Sequence, residues 1–213
     1  MARKKLQRFA EIDKLPNVAQ AGDLDIKEKI KKFVTDAPLV LELACGRGEY
    51  TTSMAKLFPD KQFIGIDIQG ERIWYGAKEA KEQRLKNVLF LRIQVENLEE
   101  YFGKRSIDEI WITFPDPYPR KKQIKKRLTS PRFLQLYKDL LKKEGSVNLK
   151  TDDLNLFVYS KESTNDFGTK IIEEIEDIYK KRPKNKLLYI KTYFEKKHIR
   201  AKKTINYLKF KFK

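Results

Sequence analysis

The run Leu39-Val40-Leu41-Glu42-Leu43-Ala44-Cys45-Gly46-Arg47-Gly48, followed by a helical stretch from Glu49 to about Phe58, leaves few folds open. An apolar strand that enters a Gly-x-Gly turn and then a helix begins a Rossmann-like βαβ unit, so an α/β fold with a mostly parallel sheet is expected. Gly46 and Gly48 let backbone approach a ligand closely, and the helix N-terminus supplies free N–H groups. The third glycine of the dinucleotide fingerprint would fall at Thr51. Glu42 at the tip of the first strand would repel a pyrophosphate but suits a cationic ligand. Both features disfavour a dehydrogenase. S-adenosylmethionine, with an ammonium and a sulfonium, fits better.

Later strands end in the same way. Phe63-Ile64-Gly65-Ile66 runs into Asp67, about twenty residues past the glycines, where a carboxylate accepts both ribose hydroxyls of an adenosine. Asp67 also reads as a cap for the helix from Glu71 to about Leu85. Val88 to Ile93 reads as a third strand followed by Gln94, a candidate for the adenine amino group. Ile110 to Thr113 reads as a fourth, leading into Phe114-Pro115-Asp116-Pro117-Tyr118-Pro119-Arg120. Three alternating prolines cannot continue a strand or enter a helix interior, so the chain leaves the sheet as a stiff loop. That loop holds one carboxylate, Asp116, and one aromatic, Tyr118. Six cations follow within residues 120–127: Arg120, Lys121, Lys122, Lys125, Lys126 and Arg127. The acid can take the donor edge of a base, the ring can stack, and the cations can take phosphates.

Ser130-Pro131 reads as a helix start, with an apolar stripe to Leu141 and a stop at Gly145. Ser146 to Lys150 reads as a fifth strand, ending at Thr151-Asp152-Asp153. Residues 154–180 read as one or two helices interrupted near Gly168. Leu187 to Ile190 and Ile205 to Phe212 read as two strands of an antiparallel edge hairpin. Residues 21–213 then form a single domain. Residues 1–20 read as a basic N-terminal arm, either frayed or ordering on binding.

The net charge of +17 is unevenly spread. Residues 180–213 carry fourteen Lys and Arg against one acid, whereas residues 21–179 carry 28 cations and 27 acids. A near-neutral body with cations at its ends and in one loop points to a polyanionic partner. One cysteine and one histidine exclude an intrachain disulfide framework and leave no Cys/His metal site. No secretory signal and no run of membrane-spanning length is evident, so a cytoplasmic protein without a membrane or metal partner is expected.

Taken together, Glu-x-x-Cys-Gly-x-Gly, Gly-Ile-Asp, Phe-Pro-Asp-Pro-Tyr-Pro-Arg-Lys-Lys, Lys-Thr-Asp-Asp and Thr-Tyr-Phe-Glu, in that order, resemble the bacterial tRNA (guanine-N7-)-methyltransferase family. The resemblance covers roughly residues 38–212. It implies a class I methyltransferase sheet, S-adenosylmethionine as methyl donor, and the variable-loop guanosine of tRNA, position 46, as substrate. It also implies that Glu42, Asp67, Gln94 and Asp116 bind the donor, with Asp116 the catalytic acid, and that Arg120, Asp152, Thr192, Tyr193, Phe194 and Glu195 bind tRNA. Tyr118, Arg120 and Gln123 stand where the family usually has Trp, Lys and His, and Gln94 where an acid is usual.

Guanine N7 carries a free lone pair and needs no deprotonation, which suits a chain with one histidine. Asp116, Asp152 and Glu195 are candidates for the guanine edge, and Cys45 reads as a small buried residue. Two other readings stand beside this one. One is a class I methyltransferase acting on another RNA or base atom. The other is a non-catalytic RNA-binding protein on the same fold. A monomer or a homodimer fits each.

Overall fold

The computed structural model describes residues 2–213, with side chains from residue 6 onward. It divides into two compact units, Met1–Tyr101 and Phe102–Lys213. The first unit contains α1 (Ala2–Ile12), β1 (Val18–Gln20), α2 (Ile26–Phe33), β2 (Leu39–Leu43), α3 (Glu49–Leu57), β3 (Gln62–Asp67), α4 (Gly70–Glu82) and β4 (Val88–Arg92), then a 3-10 turn over Val95–Glu100. Its strands lie in the order β1-β4-β3-β2 and every pair is parallel. Every residue of β2 and β3 is buried. Parallel strands covered on both faces need such unbroken apolar runs, and each buried Leu or Ile contributes roughly 1.5–3 kcal/mol.

The expected N-terminal arm is instead helix and strand. β1 extends the sheet through Val18 opposite Phe90, and α1 packs on α4. Much of that packing uses polar side chains. Trp74 Nε1 donates to Glu11 at 2.8 Å, the Arg8 guanidinium lies 4.6 Å from the Tyr75 ring centre, and Arg92 lies 4.4 Å from that of Phe9. Ile12 is the apolar anchor, fully buried. Arg8 and the other cations of this helix read in sequence as a solvated charge run, which is why residues 1–20 read as an arm.

The second unit contains β5 (Ile107–Thr113), a 3-10 turn over Lys121–Lys126, α5 (Pro131–Leu140), β6 (Leu141–Thr151), α6 (Leu154–Asp166), β7 (Lys170–Ile175), α7 (Ile178–Lys181), a 3-10 turn over Lys186–Tyr189, α8 (Tyr193–Arg200) and β8 (Asn206–Lys211). The strand order is β5-β6-β8-β7; β5 and β6 are parallel, and β8 is antiparallel to both β6 and β7. Parallel pairing with antiparallel C-terminal strands is therefore as expected.

The partner of the last strand differs. Leu187–Ile190 is not extended: Asn185 accepts from Leu187 N at 3.0 Å and starts a 3-10 turn. The strand beside β8 is β7, from a segment expected to be helical. Ile171, Ile172 and Ile175 have helical spacing, yet burial alternates along β7 as a half-covered edge strand requires. Nor does α5 run to Gly145; it ends at Leu140 and β6 begins at the next residue.

Candidate functional site

In the first unit the glycine turn is built around two buried carboxylates. Glu42, at the end of β2, accepts from Thr51 N at 2.8 Å and from the Thr51 hydroxyl. Its carboxylate thus tethers the first turn of α3, where free N–H groups favour negative charge. Threonine at the third fingerprint position has a structural reason: it supplies the hydroxyl that holds Glu42. The close packing a third glycine would give comes from Gly76 on α4, where an added Cβ would lie 2.7 Å from Arg47 O. Gly48, at φ +66, faces the Phe90 ring and tolerates no side chain.

Asp67, at the tip of β3, accepts from Gly46 N at 2.9 Å and from Gln69 N at 2.8 Å, one bond to each carboxylate oxygen. Each oxygen keeps a further lone pair for a ligand hydroxyl. Gly46 has φ +56 and open space where a side chain would stand. Gln94 is exposed just past β4. Ile68, which sequence reasoning passed over, is 59% exposed beside Asp67, an apolar side chain offered at a strand tip. Gly46, Gly48, Asp67 and Gln94 thus cluster at the C-terminal ends of neighbouring strands, with Glu42 behind the turn. An adenosine fits this arrangement: backbone N–H groups and an anchored acid for polar atoms, and Ile68 for a ring face. Cys45 is buried among them, and burial, with Glu42 and Asp67 nearby, pushes its thiol well above the ordinary range. It is no thiolate nucleophile.

In the second unit the proline loop leaves β5 through Phe114, whose φ is +52; Tyr118 has φ +44. Left-handed backbone at non-glycine residues costs about 1–3 kcal/mol each and persists where surroundings enforce it. Two contacts do so. Phe114 N donates to Lys150 O at 2.8 Å, joining the loop to β6. Arg127 Nε donates to Pro117 O at 2.9 Å and its Nη2 to Tyr118 O at 3.2 Å, while the guanidinium lies 4.4 Å from the Tyr159 ring centre. Arg127 is only 6% exposed. It was expected among the RNA-contacting cations, but it is an internal brace. Asp116, Arg120, Lys121, Lys122, Lys125 and Lys126 are all exposed.

The expected Thr192-Tyr193-Phe194-Glu195 group separates into two kinds of residue. Thr192 caps α8, accepting from Glu195 N at 3.1 Å. Glu195 is fully buried: Lys150 Nζ donates to one oxygen at 2.8 Å and the Tyr179 hydroxyl to the other at 2.7 Å. Lys150, equally buried, also donates to Leu188 O at 2.7 Å and Ile190 O at 3.1 Å. All three ammonium hydrogens are used, and one lysine at the end of β6 gathers residues 188–195. Burial and the Glu195 carboxylate push the Tyr179 phenol far above its ordinary value, so it stays a donor. Tyr193 and Phe194 are left exposed, in edge-to-face contact with ring centres 5.6 Å apart.

Asp152 faces α8, with one oxygen 2.6 Å from Lys203 Nζ and 3.2 Å from His198 Nδ1. The His198 ring stacks on Phe114 at 5.9 Å. Burial lowers the His198 pKa below 6.5, ahead of the opposing pull of Asp152, whose charge Lys203 already balances. His198 is therefore neutral at pH 7. The folded chain resists a proton that the unfolded chain accepts, so stability should fall as pH drops below about 6.5. His198 is the sole histidine. Its NMR titration is expected to have a midpoint below 6.5, and Lys203→Met should raise it. A wild-type midpoint above 6.5 would mean that Asp152 outweighs burial.

A family model described as a putative methyltransferase matches residues 36–208. The chain is 42% identical to the tRNA (guanine-N(7)-)-methyltransferase of Christiangramia forsetii, over 100% of this chain and 99% of that protein. The chain belongs to the tRNA (guanine-N7-)-methyltransferase family. A second member of the family, from Cytophaga hutchinsonii, is 40% identical over 100% of this chain and 99% of its own length. Among solved structures, an antibiotic-related methyltransferase matches with a TM-score of 0.62 at 21% identity, covering 86% of this chain and 92% of that one. A SAM-dependent methyltransferase from Aquifex aeolicus matches with a TM-score of 0.57 at 17% identity, covering 94% and 96%. The methyltransferase fold is thus common to this family and to more distant enzymes.

Proposed function

We propose that this chain transfers the methyl group of S-adenosylmethionine to N7 of guanine in tRNA, at the variable-loop guanosine, acting in the cytoplasm as a monomer or homodimer. The full-length relationship to tRNA (guanine-N(7)-)-methyltransferases carries the reading. The donor-binding residues are Asp67 and the Gly46–Gly48 backbone, with Ile68 and Gln94 on the adenine and Glu42 positioning the turn. The donor supplies an electrophilic methyl on a sulfonium. N7 presents its lone pair in the ring plane, so no residue need act as general base. The purine becomes cationic as it is methylated, and a fixed carboxylate stabilises charge that develops only then. Asp116 serves this role, accepting from the N1–H and amino group, and its stiff loop supplies alignment. Arg120, Lys121, Lys122, Lys125 and Lys126 take phosphates, and Tyr193 and Phe194 offer stacking faces. Asp152 orients α8 through His198 and Lys203.

The test is direct. Incubate the protein with unmodified bulk tRNA and methyl-labelled S-adenosylmethionine, digest, and identify the labelled nucleoside. Label in N7-methylguanosine is expected; label in another nucleoside, or binding without transfer, overturns the reading. The basic loop makes a separate prediction. Lys125→Gln with Lys126→Gln should weaken tRNA binding and lower the salt slope of log K by about two, with kcat kept. Arg127→Ala should leave that slope alone and lower kcat, because it releases Pro117 and Tyr118. Equal effects from the two variants would show that Arg127 is not a brace.

A further inference from the structure

At the end of the second unit opposite Asp152 lies a groove of about 690 Å³. Seven cations line it against one acid, Glu144. They converge from separate segments: Lys142 and Lys143 where β6 begins, Lys170 where β7 begins, Lys211 where β8 ends, then Arg105, Lys138 and Lys213. Lys142 is paired with Asp108 at 2.9 Å and Lys211 with Glu144 at 3.2 Å. Arg105, Lys138, Lys143, Lys170 and Lys213 are exposed and have no acid partner among the described residues. The floor is apolar, with Leu141, Phe212 and a 44% exposed Ile172.

The strand register makes this more than a solvated charge run. Lys170 stands directly opposite Lys211 in the β7–β8 ladder. Like charges at facing positions destabilise a sheet. The sequence sets two lysines face to face at the lip of a groove and adds further cations around them. A row of phosphates between them would relieve the repulsion.

We propose that this groove is a second RNA-binding surface, holding the phosphate backbone of a helical arm of the same tRNA whose guanine is methylated; this rests on the reading of the function above. Spacing supports one continuous ligand. β6 carries extra residues between Leu141 and Ser146, so from the groove to Lys150 it spans only the length of Ile107–Thr113 on β5, about 20 Å. An extended RNA arm can bridge that distance. The cationic rim matches the phosphates of a duplex backbone. The contact positions the arm without reading its sequence.

The test uses the full chain with Lys143→Gln, Lys170→Gln and Lys213→Gln combined, and full-length unmodified tRNA as probe. Removing the Lys170–Lys211 apposition means that the variant should melt no lower than wild type. The salt slope of log K for tRNA should fall by about two to three, and KM should rise about tenfold, with kcat at saturating tRNA unchanged. A wild-type slope and KM would overturn the proposal. So would loss of binding to phosphatidylserine vesicles with tRNA binding intact, which would assign the groove to a membrane surface. Binding and methyl transfer are read separately. Failure of wild type to label guanine N7 would count against the function, whereas an unchanged slope in a protein that does label it would count against this groove alone.

Discussion

Lys150→Ala is expected to destabilise the fold by about 3–5 kcal/mol, read as a lower urea midpoint. The ammonium it removes is fully buried and bonded to Glu195, Leu188 O and Ile190 O. Among the described residues, alanine would leave the Glu195 carboxylate buried with only Tyr179 as a side-chain donor and would strand two carbonyls. Most of the loss comes from that uncompensated charge, not from the ion pair itself, because desolvation offsets much of the attraction in an intact buried pair. Lys150→Met combined with Glu195→Gln should therefore lose less than Lys150→Ala alone. If the double variant is worse, the pair itself holds the segment. Activity should follow stability through α8: residues 188–195 carry Tyr193 and Phe194, and without the lysine they have lost their common anchor.

Asp116→Ala should lower kcat by roughly 10²–10³-fold, in line with removal of one preorganised group facing transition-state charge. Affinity for tRNA should change little, because the neighbouring cations remain. Asp116 is exposed, and its loop is held from behind by Arg127 and Lys150 O, so the variant should fold normally. Single-turnover rates beside equilibrium binding separate the two quantities. Weakened tRNA binding with an unchanged rate would reassign Asp116 to docking.

What the sequence made legible follows from how each residue signals its role. Buried parallel strands are unbroken apolar runs, so β2 to β5 could be placed within a residue or a few. Acids ending such strands are conspicuous, and Glu42, Asp67 and Asp152 each lie at a strand end. Composition could not distinguish a charge that faces solvent from one that faces a carbonyl. Arg127 and Glu195 belong to the same runs as their exposed neighbours, and only the fold turns them inward. Lys150 was read merely as the end of a strand, for the same reason. The segment 187–190 misled because four apolar residues suit a strand as well as a 3-10 turn; a capping Asn185 and a lysine 38 residues before Leu188 decide between them. β7 was hidden by isoleucines spaced for a helix, and α1 by packing through guanidiniums.

The bond from Arg127 back to Pro117 and Tyr118 closes a ring of about ten residues around the cationic loop. A closed ring keeps its shape when nothing is bound. Little conformational freedom is then left to lose when a nucleic acid docks, so recognition should depend on whether the incoming phosphates match a fixed template. RNAs of equal charge but different contour would be sorted at first encounter, before any methyl group moves.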